Sequence, residues 1–437
     1  EFKEYFKSKY EVYHGTADLY VYFIEKSIKL LNPNGYFSFI VANKWFRANY
    51  GKPLRKWLKD QNINEIIDFG DLSVFQGATT YPAIIRFSKG TAQDKFRVTN
   101  VLDLKFNSLT EYVEDNYFEY EKKFLDDNGW NLVDSKIIEL IKKIKSNNVS
   151  LEEYTNTKIF RGLLTGLNKA FVIDEETRNN LIQNDPKSAE IIKPFLAGKE
   201  IKRYAPLKPK DYLIFFPKGW TNNHYNGKDS WSFIKNQYPF IAEYLSQFKE
   251  EAMRRYDQGD YWWELRACDY YKEFEFPKIM LPDISLRGNF SLDEEGAKYC
   301  VNTAYIIGSN EKYLLGILNS KLITFIYQSM SSTYRGGYLR FIYQYLTQLP
   351  IRTIDFDNPD DVAKHDKMVQ LVESMLELNK KVHADGISTQ EKKMLQKQID
   401  ITDKQIDQLV YQLYDLTEEE IKVVEGGVSE HYLTYLL

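Results

Sequence analysis

The sequence predicts an α/β protein whose chain ends in a helical hairpin, and three observations carry that prediction. Helix-type and strand-type segments alternate near the start, the middle is aromatic and broken by Gly and Pro turns, and the tail repeats apolar residues every three or four positions. Asp18 to Leu31 (DLYVYFIEKSIKLL) places Leu19, Phe23, Ile24, Ile28 and Leu31 at a helical period and stops at the turn Asn32-Pro33-Asn34-Gly35. Tyr36 to Ala42 (YFSFIVA) is a short strand-type run. Pro53 to Lys59 reads as helix, while Ile63 to Phe69 and Tyr81 to Phe87 read as strands. Helices alternating with short buried strands indicate an open α/β sheet.

In the tail, Met368, Leu371, Met375, Leu378 and Val382 form one stripe; after Asp385-Gly386, Leu395, Ile399, Thr402, Ile406, Leu409 and Leu413 form a second. Ser388 with Glu391, and Thr417 with Glu420, have capping-box spacing. Two heptad stretches around a glycine turn predict an antiparallel hairpin, a surface for packing on the protein, on another copy or on a partner chain.

Composition narrows the function. With 437 residues, 43% hydrophobic and 27% charged, the chain is of globular type and long enough for two or three domains. Two cysteines, Cys268 and Cys300, exclude a disulfide framework and a cysteine-rich zinc module, and suit the reducing cytoplasm. No apolar run approaches the roughly 18 residues of a membrane span, so no membrane partner is expected. The chain starts EFKEYFKSKY, without methionine, and reads as a piece of something longer. Net charge is −4, yet residues 1–150 and 151–350 each sum to +2 and residues 351–437 to −8. The acid therefore sits in the tail. Basic clusters stand at Lys199, Lys202 and Arg203 with Lys208 and Lys210, and at Arg335 with Arg340.

Catalytic constellations are missing. The sequence holds no GxGxxG turn, phosphate-binding GxxxxGK[ST] loop or HExxH pair, and its five histidines lack metal-ligand spacing, so no metal is expected. Pro282-Asp283 with Glu295 and Lys298 mimics a PD…ExK nuclease. The lysine stands three residues after the glutamate, which in a strand sends the two to opposite faces. Trp262, Trp263 and Tyr270-Tyr271 read as core. The stretch FRGLLTGLNKAFVID (160–174) offers Arg161, Asn168 and Lys169 around a hairpin-like turn at Gly166-Leu167-Asn168-Lys169. Asn pairs bidentately with adenine, and Arg or Lys with guanine or phosphate. In Ser332 to Arg340 (STYRGGYLR), Tyr334, Arg335, Tyr338 and Arg340 combine stacking with phosphate pairing.

Several stretches carry a family resemblance: GTADLYVYFIEKSIKLLNPNGYFSFIVANKWF (15–46), FGDLSVFQGATTYPAIIRFSKG (69–90), the 160–174 loop, IIKPFLAGKEIKRY (191–204), WWELRACDYY (262–271), YLLGILNSKL (313–322) and SSTYRGGYLRFIYQYLTQLPI (331–351). They resemble the C-terminal part of a type IIG restriction–modification protein: an adenine-specific DNA methyltransferase of the NPPY class followed by a TaqI-like specificity domain. The resemblance implies the C-terminal half of a Rossmann-like methyltransferase domain (1–128), an α+β target-recognition domain (129–350) and a helical region (351–437). It also implies double-stranded DNA as partner and S-adenosylmethionine as cofactor of the full-length enzyme, which methylates an adenine flipped out of the duplex. Phe75 falls where the family stacks that base. The cofactor motif and NPPY itself are absent, Asn32-Pro33-Asn34-Gly35 being a turn. No cofactor is thus expected on this chain and no catalytic set is complete in it. A stand-alone DNA-specificity subunit and a helical partner-docking module are the competing readings.

Overall fold

The computed structural model describes residues 2–70, 72–77, 80–331, 333–334 and 338–427. It is a mixed α/β structure whose described residues divide into two compact units: those up to Ser146 together with Gln328–Arg340, and Asn147–Tyr327 together with Phe341–Gly427.

In the first unit, β1 (Tyr36–Ala42), β2 (Asn62–Asp68), β3 (Pro82–Ser88), β4 (Lys95–Asn100) and β5 (Phe118–Glu121) make one sheet in the order β1-β3-β2-β4-β5. β3 runs antiparallel to β1 and β2, β2 and β4 are parallel, and β5 is antiparallel to β4. Strands β1, β2 and β4 therefore share one direction, as an open α/β sheet requires. The periodicity misses the reversal of β3. The described residues of the 69–81 loop carry no helix, and a chain without a crossover helix returns antiparallel. The helix Leu19–Leu30 is capped by Asp18 and buries Val21, Ile24 and Ile28 against the sheet core of Ile63, Ile66, Ile85 and Phe87.

The second unit is built on β6 (Val149–Ser150), β7 (Ile159–Arg161), β8 (Val172–Asp174), β9 (Ile192–Leu196), β10 (Asp211–Ile214), β11 (Lys278–Pro282), β12 (Ile284–Ser285), β13 (Ser291–Asp293), β14 (Tyr299–Cys300) and β15 (Ala304–Ile307). Two four-stranded sheets result, ordered β14-β9-β10-β8 and β13-β11-β15-β7. The segment 299–307 is the seam, since it enters one sheet as β14 and the other as β15. Both sheets share a core containing Phe171, Ile192, Phe195, Trp262, Trp263, Met280 and Ile306, which confirms the two tryptophans as core. The nuclease-like lysine, Lys298, pairs with the exposed Glu295 (Nζ to carboxylate, 2.6 Å) and also approaches Asp293 at 3.6 Å. Asp293, between them and β11, lies fully buried 2.5 Å from Lys278, whose ammonium also donates to the carbonyls of Phe274 and Phe276. Burial lowers the Lys278 pKa against the pull of Asp293.

Later in the chain, β16 (Thr333–Tyr334) and β17 (Tyr338–Arg340) pair antiparallel in the first unit, and β18 (Pro350–Ile351) pairs with β6 in the second. The tail forms the expected hairpin from the helices Pro359–Val382 and Thr389–Leu413. Met368, Leu371, Met375 and Val382 are buried on one, Leu395, Thr402, Ile406, Leu409 and Leu413 on the other. Both capping boxes form: Ser388 with Glu391 and Thr417 with Glu420 exchange backbone-to-side-chain hydrogen bonds. The first helix of the hairpin lies on the helix Lys312–Leu318, where Gly316 admits Met368 and Val372. No helix among the described residues is long and apolar enough to cross a membrane.

Candidate nucleic-acid interface

The 160–174 stretch is not a hairpin. β7 and β8 belong to different sheets, and between them Gly166 (φ +72°) turns the chain into the short helix Asn168–Phe171. Gly162 passes so close to the seam that a Cβ on it would stand 2.1 Å from the carbonyl oxygen of Val301. Beneath the turn lies Arg255, buried and donating to the carbonyls of Thr165 (2.7 Å), Trp262 (2.6 Å) and Glu264 (2.9 Å), with its guanidinium over the Phe171 ring. Burial pushes its pKa down to about 10. Sequence reading overlooked Arg255, whose role depends on contacts 90 positions away.

The side chains expected to face DNA here are partly engaged within the fold. Asn168 accepts from the Thr165 hydroxyl (2.6 Å), and Lys169 pairs with Glu251 (2.6 Å) at the surface. Arg161 is exposed but donates Nε to the Asn302 carbonyl (2.9 Å). Asn168, though exposed, thus also braces its own turn through Oδ1.

The loop after β9 behaves differently. Lys199, Lys202, Lys208 and Lys210 line one groove of about 530 Å³ together with Glu200, Pro206 and His383. All four lysines are exposed, and Lys208 donates to the His383 carbonyl (2.9 Å). Four ammonium groups in one groove, with one carboxylate among them, form a surface suited to a polyanion. Arg203 needs correcting. Its side chain, only 9% exposed, pairs with Asp403 and donates to the Asn319 carbonyl, pointing into the fold and away from the groove. A charge run signals a basic surface, but it does not show which member turns inward.

Tyr338 and Arg340 lie exposed on β17, and Tyr334 stands on β16; Arg335 lies outside the described residues.

In the first unit the carboxyl ends of β1, β2 and β4 share an edge, the place where open α/β sheets bind ligands. Asn43, just past β1, donates to the Asp68 carboxylate (2.8 Å) and the Gly70 carbonyl (3.0 Å), and Asp68 also accepts from Gly70 N–H (3.0 Å). This bracket fixes the start of the loop that carries Phe75. Leu72 and Val74 pack on Phe69 and Val101, while Phe75 is 42% exposed beside Gly77 (φ +78°). Phe75 is therefore not a core residue. No group of three or more metal-ligating side chains occurs among the described residues.

Comparison with known proteins finds two separate matches along the chain. Residues 1–75 match the family model of the Eco57I restriction-modification methylase, and residues 193–351 match that of the TaqI-like C-terminal specificity domain. In these two regions the chain is similar to restriction–modification methyltransferases and to the TaqI-like specificity domain. It is 24% identical to the type II restriction enzyme and methyltransferase RM.Eco57I of Escherichia coli, over 96% of this chain and 45% of that protein. To the type II methyltransferase M.BstVI of Geobacillus stearothermophilus it is 22% identical, over 97% of this chain and 72% of that one. The chain thus spans a little under half of RM.Eco57I. Among solved structures, MmeI, a type IIL restriction-modification enzyme determined with DNA, shares the fold with a TM-score of 0.60 at 14% identity, over 96% of this chain and 53% of that one. The lysine groove and the exposed residues of β17 both fall inside the match to the specificity domain.

Proposed function

We propose that this chain is the DNA-binding and specificity portion of a type IIG restriction–modification enzyme that methylates adenine. The observation that carries the reading is the four-lysine groove inside the matched specificity domain, a surface for the phosphates of double-stranded DNA. The first unit is the C-terminal half of a Rossmann-like methyltransferase domain, and Phe75, exposed at the ligand-binding edge of its sheet, stacks on the flipped adenine. Arg161, Lys169, Tyr338 and Arg340, with Tyr334 and Arg335, add contacts to the duplex.

S-adenosylmethionine belongs to the full-length enzyme. Among the described residues of the first unit, β1 leads into Asn43-Lys44-Trp45 and β2 into Phe69-Gly70, and neither makes the glycine-rich strand–turn–helix that holds such a cofactor. These residues do not form its cradle, and the isolated chain is inactive on this reading.

The complete open reading frame provides the test. Expressed in a host without competing methylases, it should place N6-methyladenine at one short sequence motif, read by base-resolved methylation mapping. Methylation of cytosine, or none by the complete protein, would overturn the adenine assignment.

A further inference from the structure

The basic loop and the acidic tail look unrelated in the sequence, yet they are tied together twice. Lys202 to Ala205 make a tight turn, closed by Ala205 N–H to the Lys202 carbonyl at 3.0 Å, with Tyr204 at φ +55°. That region is disfavoured for any residue with a Cβ, so the turn persists only where its surroundings impose it. Here they do. Tyr204 is buried and donates its N–H to the Phe290 carbonyl (3.0 Å). Arg203 pairs with Asp403 on the second helix of the hairpin and donates through Nε and Nη2 to the Asn319 carbonyl (3.1 and 2.7 Å). Arg287 approaches Asp403 to 3.9 Å, and Asp407, one turn further on, accepts from Lys321 N–H (2.8 Å). At the far end of the loop, Lys208 donates to the carbonyl of His383, just past the first helix of the hairpin. Of the lysines that line the groove, Lys199 and Lys202 stand just before the first tie, Lys208 makes the second, and Lys210 follows it.

We propose that the helical hairpin is a positioning element for DNA binding: Asp403, acting through Arg203, fixes the direction in which the basic loop presents its lysines to phosphate. This rests on the reading of the groove as a duplex-binding surface. Asp403 and Arg203 touch no DNA themselves; they act through the turn.

The experiment titrates a fluorescent DNA duplex with the 437-residue chain across a range of salt concentrations. Arg203→Met and Asp403→Asn should each weaken binding about tenfold and flatten the plot of log K against log salt by about one or two phosphates' worth. Asp403→Glu, which keeps the pair, should restore most of both. Met375→Ala in the hairpin core serves as the control for general destabilisation and should lower the melting temperature without changing the slope. Wild-type affinity and slope in Arg203→Met and Asp403→Asn, or an equal flattening in Met375→Ala, would overturn the positioning role. Lys199→Gln with Lys202→Gln separates the two readings. If that pair weakens binding while Arg203→Met does not, the positioning role alone fails; if it leaves binding unchanged, the groove reading fails as well.

Discussion

Alanine at Gly162 is expected to destabilise the second unit by more than about 4 kcal/mol, among the largest effects a single methyl group produces. The added carbon would stand 2.1 Å from the Val301 carbonyl oxygen, 2.5 Å from its carbon and 2.7 Å from the Cys300 oxygen. All three are backbone atoms, so no side chain can swing away to make room. Nor can the strand retreat, because Gly162 N–H donates to the Ala304 carbonyl (2.8 Å) and Leu163 N–H to that of Cys300 (2.7 Å). The methyl group would therefore break the seam on which both sheets close. Gly198 approaches the same seam from the other side, its Cβ position lying 2.2 Å from the Thr303 oxygen, and alanine there should act in the same direction. Urea unfolding followed by circular dichroism measures both. A Gly162→Ala protein within about 1 kcal/mol of wild type would show that the backbone does not approach this closely.

Phe75→Ala in the complete enzyme is expected to lower methyl transfer by roughly ten- to a hundredfold while leaving the fold intact. An extruded adenine loses its stacking partners, and an aromatic face returns roughly 1–3 kcal/mol per base, which sets that range. The ring is half-exposed and its neighbours Leu72 and Val74 take the buried positions, so truncation should shift the melting temperature little. Phe75→Tyr and Phe75→Trp keep a face and should keep activity. A mismatched target adenine, already unpaired, should partly rescue the alanine variant because extrusion is easier. A large fall in melting temperature with normal turnover per folded molecule would contradict the stacking role.

How legible was this in the sequence? The tail was nearly complete there, because a heptad stripe and a capping box are local patterns and both helices follow them. Three of the five strands of the first unit were found, β4 and β5 were not, and the order was not: the insertion of β3 antiparallel between β1 and β2 leaves no mark in the periodicity of the strands. Glycines 162 and 198 were visible as motif positions, whereas their reason, the seam at 299–307, lies more than 100 positions further on. The basic cluster was read correctly as a cluster and wrongly as uniform. Arg203 finds its carboxylate 200 positions away, and nothing in Lys199 to Arg203 distinguishes the residue that turns inward. Long-range pairing decides such cases, and periodicity carries no information about it.

The central claim is that the lysine groove of the specificity domain binds duplex DNA through its phosphates. The most direct measurement compares the 437-residue chain with a variant carrying Lys199→Gln, Lys202→Gln, Lys208→Gln and Lys210→Gln, by fluorescence anisotropy of a DNA duplex at several salt concentrations. Each phosphate contact contributes about −0.9 to the slope of log K against log salt. The four lysines are exposed, so the variant should melt close to wild type. It should bind at least tenfold more weakly, with a slope shallower by about two to four. Equal affinity and equal slope in a folded variant would contradict the claim.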